Sequence, residues 1–187
     1  DVLSVSIVGY TNAGKSTLFN RLTRADAYVA DQLFATLDTT SRRMYTEGQG
    51  EIVVSDTVGF IRHLPHSLVA AFRSTLEETI QADLLVHVVD VNNANRDDQI
   101  AEVNKVLAEI DAARIPQVLV FNKIDLQDVP PSVERDEYGR ITRVFLSAKS
   151  GAGLDGLQLA LMEALKEARP ARQAAALTEH QTNQASE

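Results

Sequence analysis

Gly9, Gly14, Lys15 and Ser16 stand in the spacing G-x-x-x-x-G-K-S, with Tyr10, Thr11, Asn12 and Ala13 between the glycines. Glycines let a backbone bend so tightly that successive N–H groups turn toward one cluster of anionic oxygens. A helix opening at Lys15 adds the positive end of its dipole. This is chemistry for phosphate: Lys15 reaches β- and γ-oxygens. Ser16 offers a hydroxyl to Mg²⁺, a hard cation that keeps several waters when phosphates complete its shell, and Thr17 follows in the same turn. The plainer alternative is a glycine-rich turn before a helix. The flanks favour the phosphate reading, because Val2 to Val8 is an apolar run of strand type and Leu18, Phe19 and Leu22 recur at helical spacing.

Asn122, Lys123, Ile124 and Asp125 follow the apolar run Val118 to Phe121. They fall at the C-terminal end of a buried strand, where ligands collect in open α/β sheets. A carboxylate at Asp125 accepts two hydrogen bonds from guanine N1–H and the 2-amino group. Adenine offers no such donor pair and would leave the charge unpaired. Asn122 can tie this loop to the phosphate loop and touch the base, and the Lys123 stem can lie across the ring. Asp56, Thr57, Val58 and Gly59 end a second strand-like run, Ile52 to Ser55. There Asp56 is placed to hold Mg²⁺ through a water, and the Gly59 N–H to meet a γ-phosphate whose loss would release the loop. Ser147, Ala148 and Lys149 close a third run, Val144 to Leu146, with the Ala148 N–H placed to donate to guanine O6.

The elements that must position these groups can be read from periodicity. Strand-like runs at 2–8, 52–55, 84–89, 118–121 and 144–146 alternate with helical patterns, the signature of right-handed crossovers and a buried, mainly parallel sheet. A further strand near Arg42 to Thr46 reads as an antiparallel edge. Helical stripes run through Leu68 to Thr79, through Ile100, Val103, Leu107 and Ile110, and through Leu154, Leu157, Leu161 and Leu165. The segment Gln127 to Arg140 is polar and reads as a variable or mobile loop. After Pro170 apolar periodicity fades, predicting a frayed helix or disordered tail over 169–187. His87, inside an apolar strand run, reads as a hydrogen-bonded core histidine.

At 187 residues, 44% hydrophobic and 24% charged, the chain suits one domain with a sizeable core. It has no cysteine, and its apolar runs are too short for a membrane span. A cytoplasmic protein fits this composition best. A net charge of −8 argues against a broad electrostatic grip on nucleic acid. Arg21, Arg24, Arg42, Arg43, Arg62 and His63 form either a local patch for an RNA-rich partner or ordinary solvated charge.

With these motifs in place, GYTNAGKSTLFNRL, DQLFATLDTT, DTVGFIRHLP and NKID together resemble the Ras-like P-loop G domain of the TRAFAC GTPases, in the Obg–HflX group and most closely its HflX branch. The likeness covers residues 1–168 and implies a mainly parallel six-stranded sheet with helices on both faces. It also implies GTP and GDP as ligands, Mg²⁺ as cofactor, and a missing N-terminal HflX domain. Its switch threonine, which binds Mg²⁺ and senses the γ-phosphate, maps to Thr36 within Phe34, Ala35, Thr36, Leu37 and Asp38, with Thr39 and Thr40 as close competitors for the role. Lys15, Thr36 and Gly59 are then the catalytic set, and Ser16, Thr36 and Asp56 the metal set. The resemblance further implies action on the large ribosomal subunit. Ras-like GTPases carry a water-orienting Gln after DxxG, but here the residue is Phe60, which predicts slow turnover until a partner assists. Asn12 either helps bind K⁺ beside the phosphates, as its counterparts do in related GTPases, or merely caps a turn.

Overall fold

Leu3, Val5 and Ile7 alternate with Ser4, Ser6 and Val8 along β1 (Leu3–Gly9), and its last five residues, Val5 to Gly9, leave almost nothing exposed on either side of the strand. A strand buried on both faces belongs at the centre of a sheet with helices on each side. The computed structural model describes residues 2–23, 40–57, 67 and 76–185. In it β1 is followed by α1 (Lys15–Thr23), the hairpin β2 (Thr40–Thr46) and β3 (Gly50–Asp56), a short α2 (Glu77–Ile80), and β4 (Leu84–Asp90). Then come α3 (Arg96–Glu109), β5 (Gln117–Asn122), β6 (Ser132–Arg135), β7 (Ile141–Phe145) and α4 (Leu154–Gln184).

The sheet has seven strands in the order β2-β3-β1-β4-β5-β7-β6. The inner five run parallel, and the two edges, β2 on β3 and β6 on β7, are antiparallel. Register is set by apolar faces: Val5 of β1 lies opposite Val54 of β3 on one side and Leu84 of β4 on the other. One face of the sheet packs Leu18, Phe19 and Leu22 of α1 with Leu157, Leu161 and Leu165 of α4. Val103 and Leu107 of α3 cover Val8 and Leu85 on the opposite face.

Two features differ from the sequence reading. The sheet has seven strands instead of six, because the segment expected to be a variable or mobile loop contributes β6. β6 hides from pattern analysis: only Val133 is half-buried, against Gly156 of α4, while Ser132, Glu134 and Arg135 face solvent. Second, α4 continues without a break through Pro170 to Gln184, across the stretch expected to be a frayed helix or disordered tail. Two arginines hold its middle. Arg169 donates to the Gln49 side chain at 3.1 Å and its carbonyl at 3.2 Å, and Arg172 donates to the Val2 carbonyl at 2.8 Å and to Asp83 at 3.0 Å. Asp83 in turn accepts the Ser4 N–H at 2.8 Å, so the helix is tied to the start of the central strand. Beyond Arg172 every described residue is exposed.

Candidate nucleotide-binding site

The C-terminal ends of β1, β3, β4 and β5 share one rim of the sheet, and the motif residues gather on it. β1 ends at Gly9, where nothing larger fits: a Cβ there would lie 2.5 Å from the Val88 carbonyl. Asn12 takes a left-handed φ of 68°, and the Ala13 N–H closes a turn on the Tyr10 carbonyl at 3.2 Å. Gly14 has φ of 96°, and a Cβ on it would sit 2.3 Å from the Asn122 Nδ2. The loop thus needs glycine at both ends for separate reasons, close approach at the first and close approach plus left-handed backbone at the second. Tyr10 reaches away from the loop and donates to Glu102 of α3 at 3.3 Å, and Thr11 and Thr17 are half-buried.

α1 and β3 bring together the groups that would face phosphate and metal. Lys15 is 7% exposed, and its Nζ donates to the Thr57 carbonyl at 3.0 Å and lies 3.4 Å from Asp56 Oδ1. Ser16 Oγ donates to Asp56 Oδ2 at 2.9 Å. Thr57 is itself pinned to β1 through its hydroxyl, 2.7 Å from the Ile7 carbonyl. A buried ammonium, a hydroxyl and a carboxylate therefore converge at one point. As a metal site this set fits Mg²⁺ from its donor chemistry: Ser16 and Asp56 are hard oxygens in mutual contact, and no cluster of three acidic or imidazole ligands occurs among the described residues. Such a pair leaves coordination positions for waters and phosphate oxygens, as Mg²⁺ requires. Phe34, Ala35, Thr36, Leu37, Asp38, Val58, Gly59 and Phe60 lie outside the described residues.

The other half of the rim is built around Asn122, 3% exposed at the end of β5. Its Nδ2 donates to the Ala13 carbonyl at 3.0 Å, and its Oδ1 accepts the Ala148 N–H at 2.9 Å. One side chain thereby joins the phosphate-type loop to the Ser147–Lys149 loop. Lys123, left-handed at φ 68°, sends its Nζ to the Asn12 carbonyl at 2.7 Å and lies 3.3 Å from Asp90 Oδ2. Asp125 is exposed in the turn that follows, without a hydrogen bond or ion pair among the described residues. Its two oxygens stay open to a ligand edge.

Three contributors escape sequence reasoning. Asp90 ends β4 and counters the Lys123 charge, a role its position at the ligand rim of a parallel strand could have signalled. Asn92 donates to Asp90 at 3.2 Å and to the Lys123 carbonyl at 3.0 Å, holding the left-handed residue, and no local pattern announces it. Arg21, grouped above with a basic patch, donates instead to the carbonyls of Ala148 and Lys149. Two more members of that patch are also engaged, Arg43 with Glu51 and the Arg42 guanidinium 5.8 Å from the Phe19 ring centroid, whereas Arg24, Arg62 and His63 lie outside the described residues. His87, 1% exposed in β4, has Gln117 as its hydrogen-bond neighbour while Nδ1 lacks a partner among the described residues; burial lowers its pKa to about 4.

Comparison with known proteins places this rim in context. A family model described as 50S ribosome-binding GTPase matches residues 4–123. GTPase HflX of Escherichia coli (strain K12) is 60% identical over 166 residues, spanning 88% of this chain and 39% of that protein. GTPase HflX of Caldanaerobacter subterraneus subsp. tengcongensis is 54% identical over 153 residues, 82% of this chain and 34% of that protein. The chain therefore spans between a third and two fifths of the length of these relatives. Among solved structures, a GTP-binding protein from Sulfolobus solfataricus in complex with GDP aligns with a TM-score of 0.67 at 27% identity, over 88% of this chain and 53% of that one. None of the described helices is long and apolar enough to cross a membrane. With its family model, its HflX relatives and its G-domain fold in agreement, the chain belongs to the 50S ribosome-binding GTPases, in their HflX branch.

Proposed function

We propose that this chain binds GTP and GDP on the rim just described, with Mg²⁺, and hydrolyses GTP slowly until a ribosomal partner accelerates it. The observation that carries the reading is the convergence of Lys15, Ser16 and Asp56 within 3.4 Å, joined by Asn122 to a base-facing loop that presents a free Asp125 carboxylate. The loop amides between Gly9 and Lys15 and the α1 N-terminus would hold the phosphates, with Lys15 shifting from Asp56 and the Thr57 carbonyl onto the β- and γ-oxygens. Ser16 and Asp56 would hold Mg²⁺, which supplies charge neutralisation at the phosphates when bound. Asp125 selects guanine by accepting from N1–H and the 2-amino group, and the 6-oxo group meets backbone N–H from the Ser147–Lys149 loop.

Hydrolysis needs a water aligned with the γ-phosphate. The residue after Gly59 is Phe60, which neither accepts nor donates a proton, so unassisted turnover is expected on the order of 10⁻⁴ to 10⁻² s⁻¹. Thr36 and Gly59 complete the proposed catalytic set with Lys15, and Thr36 the metal set. The partner is taken to be the large ribosomal subunit, as the family description suggests, which puts the work in the cytoplasm. Phe60 also supports a second reading, in which nucleotide state alone controls partner affinity and hydrolysis serves as a reset.

Calorimetry with Mg²⁺ tests the core of this: guanosine triphosphate should bind at least about a hundredfold more tightly than adenosine triphosphate. Asp125→Asn should weaken GTP and favour xanthosine triphosphate, whose ring presents an acceptor where guanine has a donor. Equal affinity for the two purines, or undiminished GTP binding by Asp125→Asn, would remove the reading. Turnover with and without ribosomes, beside ribosome binding in GTP, GDP and a non-hydrolysable analogue, separates enzyme from switch.

A further inference from the structure

Arg21 stands nearly two turns along α1 from Lys15, exposed, and makes no ion pair among the described residues. Its guanidinium spans to a loop 127 residues away. Nε donates to the Ala148 carbonyl at 3.1 Å and Nη2 to the Lys149 carbonyl at 2.5 Å. Gly151 sits beside this grip in left-handed backbone, φ 85°, and a Cβ there would meet the guanidinium only in ordinary contact at 3.8 Å.

Gripping two successive carbonyls fixes the peptide planes that carry them. In a trans peptide C=O and N–H point in opposite directions, so holding the Ala148 carbonyl toward α1 turns the Lys149 N–H away from it. The other amides of the loop are spent internally: Ser147 on the Ala152 carbonyl at 2.8 Å, Ala148 on Asn122 Oδ1 at 2.9 Å, Ser150 on Ser147 Oγ at 3.2 Å, and Gly151 on the Ser147 carbonyl at 2.8 Å. Lys149 alone keeps an N–H without a partner among the described residues.

We propose that Arg21 is a positioning residue for purine recognition, aiming the Lys149 N–H at the 6-oxo group of guanine. The proposal rests on the guanine reading above. It gives the 6-oxo group a donor distinct from the Ala148 N–H that pattern reading assigns, and it links α1, which opens at the phosphate-facing Lys15, to the base-recognition loop. A planar fork with fixed N–H vectors suits two carbonyls at once, whereas a lysine supplies a single point of charge.

The test compares GDP with 2-aminopurine riboside 5′-diphosphate, which keeps the phosphates, ribose and 2-amino group but carries hydrogen at position 6 and has no N1–H for Asp125; that second loss is the same in the native chain and the variants, so the ratio between them reads position 6 alone. Binding of both is measured by calorimetry on the whole chain and on Arg21→Ala and Arg21→Lys. In Arg21→Ala the GDP Kd should rise about tenfold while the analogue changes by less than about twofold, with Arg21→Lys between. A parallel loss for both nucleotides, or no loss for either, overturns the proposal and makes Arg21 a structural contact. Should Arg21→Ala not fold, the same ratio in Arg21→Lys decides: an unchanged ratio refutes it. A native chain that binds ADP as tightly as GDP defeats the guanine reading itself, whereas native GDP preference with an unmoved ratio in the variants defeats only the role of Arg21.

Discussion

Replacing Asn122 with alanine removes the side chain that links the two halves of the rim, and the cost can be worked from its contacts. Asn122 is 3% exposed, with hydrogen bonds of 3.0 Å to the Ala13 carbonyl and 2.9 Å from the Ala148 N–H. Two buried neutral hydrogen bonds contribute about 1 kcal/mol each, and leaving a carbonyl and an N–H buried without partners adds a desolvation penalty of about 1 kcal/mol or more. Asn122→Ala should therefore destabilise the nucleotide-free chain by about 2 to 4 kcal/mol in urea unfolding near neutral pH. Asn122→Asp is the discriminating control. It keeps an acceptor for the Ala148 N–H but sets a carboxylate oxygen against the Ala13 carbonyl, so its loss should match or exceed that of alanine despite equal size. GDP affinity should fall in step, because both loops lose their common anchor. A loss under about 0.5 kcal/mol in both variants, with GDP binding unchanged, would mean that the Lys123–Asn12 and Arg21–Ala148 contacts hold the loops without Asn122.

Acid should weaken the fold through His87, whose pKa falls from 6.5 to about 4 on burial. Because the folded state prefers the neutral ring, its contribution is complete above the ordinary histidine value and is lost as pH falls from there toward the folded value, about 2 kcal/mol between pH 7.5 and pH 5. His87→Leu should flatten that part of the unfolding profile, and an identical pH dependence in the variant would contradict it. Truncation after Arg172 should leave the urea midpoint within experimental error, since the removed residues are exposed, whereas Arg172→Ala should cost about 1 to 2 kcal/mol by freeing the Val2 carbonyl and Asp83. If Asn12 contributes to a K⁺ site, GTP turnover should be several-fold faster in KCl than in NaCl at equal ionic strength and lose that difference in Asn12→Ala; equal rates in both salts remove the idea.

The division between what pattern reading found and what it missed follows from which atoms make each contact. Inner strands β1, β4 and β5 are legible because helices cover both faces, forcing near-continuous apolar runs. Gly9, Gly14 and Asn122 are legible because their neighbours leave one solution each: no room for a Cβ at the glycines, and a side chain that both donates and accepts at Asn122. β6 is not, since only Val133 of its four residues turns inward. The far part of α4 is not, since a helix exposed all round has no stripe and Pro170 argues against continuation. Arg21 and Asn92 belong to another class. Each bonds main-chain carbonyls, of Ala148, Lys149 and Lys123, and a carbonyl is the same group in every residue. No residue type at the receiving end advertises such a contact, so it becomes visible only when topology carries α1 beside the loop after β7. Substitution at Lys149, the exposed receiving position, should accordingly be tolerated while Arg21 is not: Lys149→Ala keeps the carbonyl and the N–H, and is expected to hold GDP within about twofold of the native chain.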